Sequence, residues 1–293
     1  MGTPAQTFDS RLKLEGPLGM LRRYAAWRRD SVVRWATHRD RTPTLTEFLR
    51  AVNVQTQDPW SFIEYTLGVS VAPELAVSLD KEFSDLLRQV TDRHAELRNE
   101  SIRFSADPNR IPADLPYPIS WAVEDTEARV YHHLVRLLKP NRVVETGVAN
   151  GFSSFFLLSA MERNHRGTLT SLDVSDNVGR LVPPDLREAW DLRILPRKGT
   201  KEAFHRAMGK LAGTDLFIHD SDHSYGWQDF EYAAAWHQYL HHDGLLLSDD
   251  ADLSYAFVDF VRSHRDDPLF DTASLVCRSK VLAMARHRGD GGG

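Results

Sequence analysis

From Glu124 to His264 the chain alternates short apolar runs with stretches of helical period, and no other feature limits its fold so tightly. The pattern predicts a helix over Glu124–Leu138 halted at Pro140, a strand over Arg142–Gly147, and a helix after Gly151. Further strands are expected at Thr168–Val174, Leu192–Leu195, Asp215–His219 and Gly244–Ser248. The helices between and after them are expected at Thr200–Met208, Trp227–Leu240 and Tyr255–His264. Two last runs, Thr272–Cys277 and Val281–Ala285, read as a hairpin across Arg278-Ser279-Lys280. Successive βα units give parallel strands with helices on both faces and all carboxyl ends on one rim. The expected class is α/β, a doubly wound seven-stranded sheet with an antiparallel terminal hairpin and an N-terminal helical extension.

The extension has a different texture. Thr44-x-x-Glu47 reads as a capping box opening a helix through Val52, and Asp58-Pro59 starts a second helical stretch. Pro73–Asn99 reads as a long amphipathic helix with Leu75, Leu79, Phe83, Leu86, Leu87 and Val90 on one stripe. Pro108, Pro112, Pro116 and Pro118 mark a linker, so residues 1–118 are expected to form a helical region serving as lid, acceptor selection or oligomer contact. The second domain is expected over 119–287, and 288–293 as a disordered tail. Seven arginines between Arg22 and Arg41 alternate with Tyr24, Trp27, Val32, Val33 and Trp35. Such a helix docks its aromatic stripe, or meets an anionic membrane surface or a phosphorylated substrate. Trp60, Phe62 and Tyr65 also need cover, so a homo-oligomer through these helices is a third expectation.

Composition excludes several partners. A net charge of −5 offers no footprint for nucleic acid. Cys277 is the single cysteine, which rules out an internal disulfide and a cysteine-cluster zinc site and points to a reducing cytoplasm. No apolar run reaches membrane-span length.

The predicted rim is acidic. Glu145 ends the first strand ahead of the turn Gly147-Val-Ala-Asn-Gly151, where backbone N–H groups can approach a ligand with no Cβ between. Asp173 ends the second strand, where an acid accepts the hydroxyls of a ribose. Its other reading is a surface turn acid. Asp220-Ser221-Asp222-His223 follows the fourth strand and Asp249-Asp250 the fifth. Asp220, Asp249 and Asp250 can converge on a hard divalent ion such as Mg²⁺, or Asp249 or Asp250 merely caps the next helix. His223 can take a proton from a metal-bound hydroxyl, with Asp222 as the competing base. His219 is expected to point to the other side of the strand as a packed group.

Together these residues resemble the class I S-adenosylmethionine-dependent methyltransferases, a Rossmann-like fold, and within them the metal-dependent small-molecule O-methyltransferases. Catechol, caffeoyl-CoA and antibiotic-sugar enzymes make up that branch. The likeness spans about Glu124 to His287. It rests on Glu145-Thr-Gly147-x-x-x-Gly151-Phe-Ser153, on Asp173, on Phe217-Ile-His-Asp220-Ser-Asp222-His223-Ser-Tyr225, and on Leu246-Leu-Ser-Asp249-Asp250. By this resemblance Glu145, Gly147, Gly151, Ser153, Asp173 and Asp220 would hold S-adenosylmethionine. Asp220, Asp249 and Asp250 would hold Mg²⁺ or another divalent cation. His223 stands where catechol-type members carry a lysine, and Asp250 replaces an asparagine; both departures favour the antibiotic-sugar type. The implied activity is O-methylation of a small-molecule hydroxyl, a sugar or another natural product.

Two alternatives use the same residues differently. Asp220-Ser-Asp222 is an Asp-x-Asp motif of the kind that serves metal-dependent glycosyltransferases, a reading that leaves the glycine turn and Asp249-Asp250 unused. A protein that retains S-adenosylmethionine without catalysis would have lost its metal positions, and these are intact. A nicotinamide site would need Gly-x-Gly-x-x-Gly after the first strand, and this turn lacks it.

Overall fold

The computed structural model describes residues 37–38, 41–104, 117, 121–209, 211 and 213–288. Eight strands form one sheet: β1 (Val54–Thr56), β2 (Arg142–Thr146), β3 (Thr168–Asp173), β4 (Trp190–Ile194), β5 (Thr214–His219), β6 (Leu240–Ser248), β7 (Phe270–Val276) and β8 (Val281–His287). Their spatial order is β1-β7-β8-β6-β5-β2-β3-β4. β2 to β6 are mutually parallel, and β8 is antiparallel to β6 and β7. The chain runs outward from β2 through β3 to β4, then returns to β5 on the other side. That reversal opens a crevice at the carboxyl end of β2, where ligands of doubly wound sheets bind.

The helices are α1 (Leu45–Leu49), α2 (Pro59–Leu67), α3 (Pro73–Phe104), α4 (Asp125–Leu138), α5 (Phe152–Asn164), α6 (Thr200–Met208), α7 (Tyr225–Ala234) and α8 (Ala256–Ser263). Strand residues alternate between two cores. Val143, Ile218, Leu247 and Met284 pack with α2 to α5, while Val144, Phe217, Leu246 and Ala283 pack with α1 and α6 to α8. Each fully buried Phe or Leu contributes about 1.5–3 kcal/mol, so this alternation fixes the register.

The seven expected strands are present, and β1 is an eighth. It pairs parallel with β7, Val54 opposite Ala273, so the extension joins the sheet. Three residues, two of them polar, carry no period to read. Nor do the helices before residue 118 form a separate body, because Phe62, Ile63, Phe83 and Val90 share the core of α4 and α5. The Trp60, Phe62 and Tyr65 cluster finds its cover there: Trp60 stacks on His133, and Tyr65 donates to Asp271. α1 ends at Leu49, short of Val52, and α7 gives way after Ala234 to a π-helical turn, Ala235–Tyr239. β6 starts at Leu240, four residues before Gly244. Arg288, expected in a disordered tail, pairs with Asp271 at 2.8 Å. The prolines from 108 to 116 and Pro118, the arginines from 22 to 39, and residues 289–293 lie outside the described residues. No helix among the described residues is long and apolar enough to cross a membrane.

A buried polar seam joins α3 to α4. His132 and His133 are fully buried and meet Nδ1 to Nδ1 at 2.9 Å, a spacing that needs one proton between them. Their Nε2 atoms face Glu82 at 2.8 Å and Asp80 at 2.9 Å. Trp60 donates to Asp80 and Arg136 to Glu82. Burial, reinforced by the neighbouring His132, holds the His133 pKa down to about 4. The unfolded chain takes that proton near 6.5, so it binds more protons than the folded one between these values. The seam therefore contributes fully above pH 6.5 and loses its contribution as pH falls toward 4, about 3 kcal/mol in all. Thermal unfolding between pH 7.5 and 4.5 should show this loss, and His133→Gln should flatten the dependence; an unchanged slope in the variant would remove His133 from it.

Candidate active site

The site begins with the turn after β2. Gly147 has φ +82°, and a Cβ there would lie 1.8 Å from the carbonyl oxygen of Asp220. The Asp220 N–H in turn donates to the Thr146 carbonyl at 2.9 Å. A residue without a side chain is what lets the ends of β2 and β5 close on each other. Gly151, at φ +85°, would drive a Cβ to 2.8 Å from the Gly179 Cα. Its role is packing against the loop after β3, and it does not line the cavity.

Glu145 also departs from expectation. It is fully buried, and its oxygens accept the hydroxyls of Ser153 at 2.5 Å and of Ser154 and Ser171 at 2.7 Å. Burial raises its pKa against these three bonds. It is absent from the cavity lining, so its oxygens anchor the start of α5 instead of facing a ligand. Ser153 lines the cavity while donating to Glu145.

A cavity of about 810 Å³ runs along the rim. Gly147, Ser153 and Asp173 stand at one part of it, and Asp220, Asp222, His223, Asp250 and Lys280 at another. Asp173 accepts the N–H of Val148 and of Ser175, each at 2.9 Å, which orients its carboxylate and leaves acceptor capacity on both oxygens. The wall is completed by Tyr117 and Trp121, ring centroids 5.6 Å apart, with Ala122 and Val123. No residue from 41 to 97 is among its lining residues.

The acids converge as the sequence suggests, with a different partition. Asp220, His223 and Asp249 bring one ligand atom each within 4.8 Å of one another. Asp250 sits beside them, Oδ2 3.6 Å from His223 Nε2, and its backbone holds a left-handed φ of +47°. Lys280 reaches in from the hairpin and donates to Asp249 Oδ2 at 2.8 Å and Asp250 Oδ2 at 3.3 Å. Asp222 lines the same cavity but stands apart from this group, exposed and accepting the Ser224 N–H at 2.8 Å. An Asp-x-Asp pair acting together on a metal is therefore not assembled.

Burial followed by the Asp249 charge pushes the carboxyls of Glu127 and Asp220 well up, and brings Asp250 to about 6. Burial works against Asp249 too, yet Glu127 and the Lys280 ammonium hold it below the usual carboxylate range. Lys280 itself is held above its ordinary value: burial opposes the charge, and Asp249 and Glu127 outweigh it. Burial first, then His219, pulls His223 down to about 4, which leaves a neutral imidazole at pH 7. His219 is packed as expected, its Nδ1 2.6 Å from Glu231.

Glu127, Lys280 and Glu231 were not foreseen. Glu127 stands three residues into α4, where Glu124-x-x-Glu127 reads as a cap. Lys280 occupies a turn, where lysine ordinarily means solvent. Glu231 gathers Thr146, His219, Ser221 and Trp227 from three elements, a convergence only the fold creates.

Residues 144–251 match the sequence model of a methyltransferase domain. Among solved structures the chain resembles the O-methyltransferase TomG of Streptomyces achromogenes, involved in tomaymycin synthesis and solved with SAM. Identity is 16% over 67% of this chain and 98% of that one, at TM-score 0.45. An SAH-bound methyltransferase of Podospora anserina matches at 12% over 75% and 98%, TM-score 0.47. An O-methyltransferase of Bacillus cereus, also with SAH, matches at 14% over 79% and 100%, TM-score 0.45. No curated protein matches the chain.

The Gly147 contact generates a measurable contrast. Gly147→Ala should destabilise by about 3 kcal/mol or more, through left-handed strain plus a backbone collision at the Asp220 carbonyl. Gly199→Ala meets nothing nearer than 3.5 Å and should cost about 1 kcal/mol. Equal losses in thermal unfolding would show that strain alone, without the collision, sets the cost.

Proposed function

We propose that this chain, whose residues 144–251 match the methyltransferase-domain model, is a class I S-adenosylmethionine-dependent methyltransferase, and within that class a divalent-metal-dependent O-methyltransferase for a hydroxyl of a small molecule, a sugar or other natural product. One observation carries the reading: a single cavity joins Asp173, on the cofactor side of the switch point, to the carboxylates that end β5 and β6. Its volume suits a nucleoside-sized ligand and a small acceptor together.

Asp173 would accept the ribose hydroxyls, and Gly147 leaves the backbone open to the cofactor. Ser153 and Asp220 face the same space. For the cation, the donor set fits. Asp249 Oδ1 is buried without a partner, and Asp220 offers a neighbouring carboxylate oxygen. Asp250 is the further carboxylate of the cluster. A divalent cation bound there supplies a lowered pKa and a fixed direction for the acceptor hydroxyl. The residues supply the rest. His223, neutral at pH 7, is the first candidate to take the hydroxyl proton at Nε2, and exposed Asp222 is its rival. Trp121 and Tyr117 line the cavity edge, the apolar wall beside which a sulfonium would lose its charge in the transfer.

Calorimetric titration should show S-adenosylhomocysteine binding, with NADH and UDP-sugars silent. Asp173→Ala should weaken that binding by about 1–3 kcal/mol. Tight UDP-sugar binding without S-adenosylhomocysteine binding would overturn the reading.

Turnover should stop in excess EDTA and return with Mg²⁺ or Mn²⁺, and Asp249→Ala should not be rescued. His223→Ala should lower kcat by about 10²–10⁴-fold with cofactor affinity intact. A near-normal His223→Ala beside a dead Asp222→Asn would move the proton to Asp222, and full activity in EDTA would remove the cation.

A further inference from the structure

Among the described residues Lys280 is the one ammonium or guanidinium set among four converging carboxylates, and its position is built in. Its ammonium lies 2.8 Å from Asp249 Oδ2, 3.3 Å from Asp250 Oδ2 and 3.9 Å from Glu127 Oε2, with the side chain 11% exposed. The turn that carries it is fixed from both sides. Glu124, at the start of α4, accepts the N–H of Arg278 at 3.0 Å and of Ser279 at 2.7 Å, and the Cys277 N–H donates to the Lys280 carbonyl at 3.0 Å. The Val281 carbonyl accepts the Ala251 N–H at 3.0 Å, which ties β8 to the loop bearing Asp249 and Asp250. Only the flexible part of the lysine is free to leave.

We infer that Lys280 is a tethered internal cation that competes with the divalent ion for Asp249 and Asp250. This rests on the reading of a metal at Asp220 and Asp249. Without a divalent ion, those two acids and Glu127 need positive charge close by, and the ammonium supplies it. With one bound, a unit charge and a double charge would share the Asp249 carboxylate within a few ångströms, in surroundings that screen poorly. Either the ammonium swings away into the cavity it already lines, or the ion binds weakly. Lys280 thereby sets the threshold concentration at which the site takes up metal, and holds the acids in place below it. It is a positioning residue, since it acts through Asp249 and Asp250.

The test is Mn²⁺ binding to the full chain, followed by calorimetry and by electron paramagnetic resonance of the free ion. Lys280→Gln keeps a donor amide and removes the charge. It should bind Mn²⁺ at least tenfold more tightly than wild type, and Lys280→Arg no more tightly than wild type. S-adenosylhomocysteine titration reports whether each variant is folded. Should Lys280→Gln fail to fold, a crystal structure of the wild type in Mn²⁺ decides: Lys280 Nζ should have left Asp249 Oδ2. Equal Mn²⁺ affinity in wild type and Lys280→Gln, or an ammonium still on Asp249 beside bound Mn²⁺, overturns the inference and leaves the metal reading standing. No Mn²⁺ binding by either protein overturns both, and S-adenosylhomocysteine binding then shows that the cofactor half survives.

Discussion

Four carboxylates brought out of water at one rim are the constraint around which this molecule is arranged. Asp220, Asp249, Asp250 and Glu127 come from β5, from the loop after β6 and from α4, and each raises the cost of the others. Isolated buried charges would cost several kcal/mol apiece. The fold answers with geometry. The antiparallel hairpin beside β6 carries its turn back over the rim, and Lys280 is delivered where the charge is densest. Glu124 pins that turn, so the same helix contributes an acid to the cluster and an anchor for its counter-charge.

A second pair of acids does different work with the same chemistry. Glu145 and Glu231 are equally buried, yet neither belongs to the cluster. Three serine hydroxyls satisfy Glu145, and Thr146, His219, Ser221 and Trp227 converge on Glu231. Hydrogen-bonded carboxylates of this kind orient backbone; carboxylates facing one another and a cavity await a cation or a proton. Residue type alone does not separate the two classes. Partners do.

That distinction marks the limit of what the sequence discloses. Strand and helix periods gave the sheet, the two covered faces and the acidic rim, because alternation between cores is written into successive residues such as Val143 and Val144. The glycine turn and Asp173 were equally legible, since both depend on neighbours in sequence. Whether Glu145 meets a ligand or Ser171 depends on a strand 26 residues away, and whether Lys280 meets water or Asp249 depends on how a hairpin folds over the sheet. β1 escaped for a simpler reason: three residues are too few to show a period, and only the open edge of β7 makes them a strand.

The extension illustrates how position decides role. Its helices α2 and α3 bury Phe62, Phe83 and Val90 into the core of α4 and α5, and β1 joins the sheet at the far edge from β2. α2 and α3 thus lie on the face opposite α6 to α8, whereas α1 packs Phe48 against Phe257 of α8, and no residue from 41 to 97 lines the cavity. Among the described residues ahead of α4, Tyr117, Trp121, Ala122 and Val123 line the cavity. The Asn150 amide donates to the Tyr117 carbonyl at 2.8 Å, which fixes this segment to the very turn that Gly147 opens. The aromatic wall of the cavity at Tyr117 is thus held by the backbone turn that Gly147 opens, so under the proposed function the surface that would meet the acceptor is set by the same turn that would meet the methyl donor.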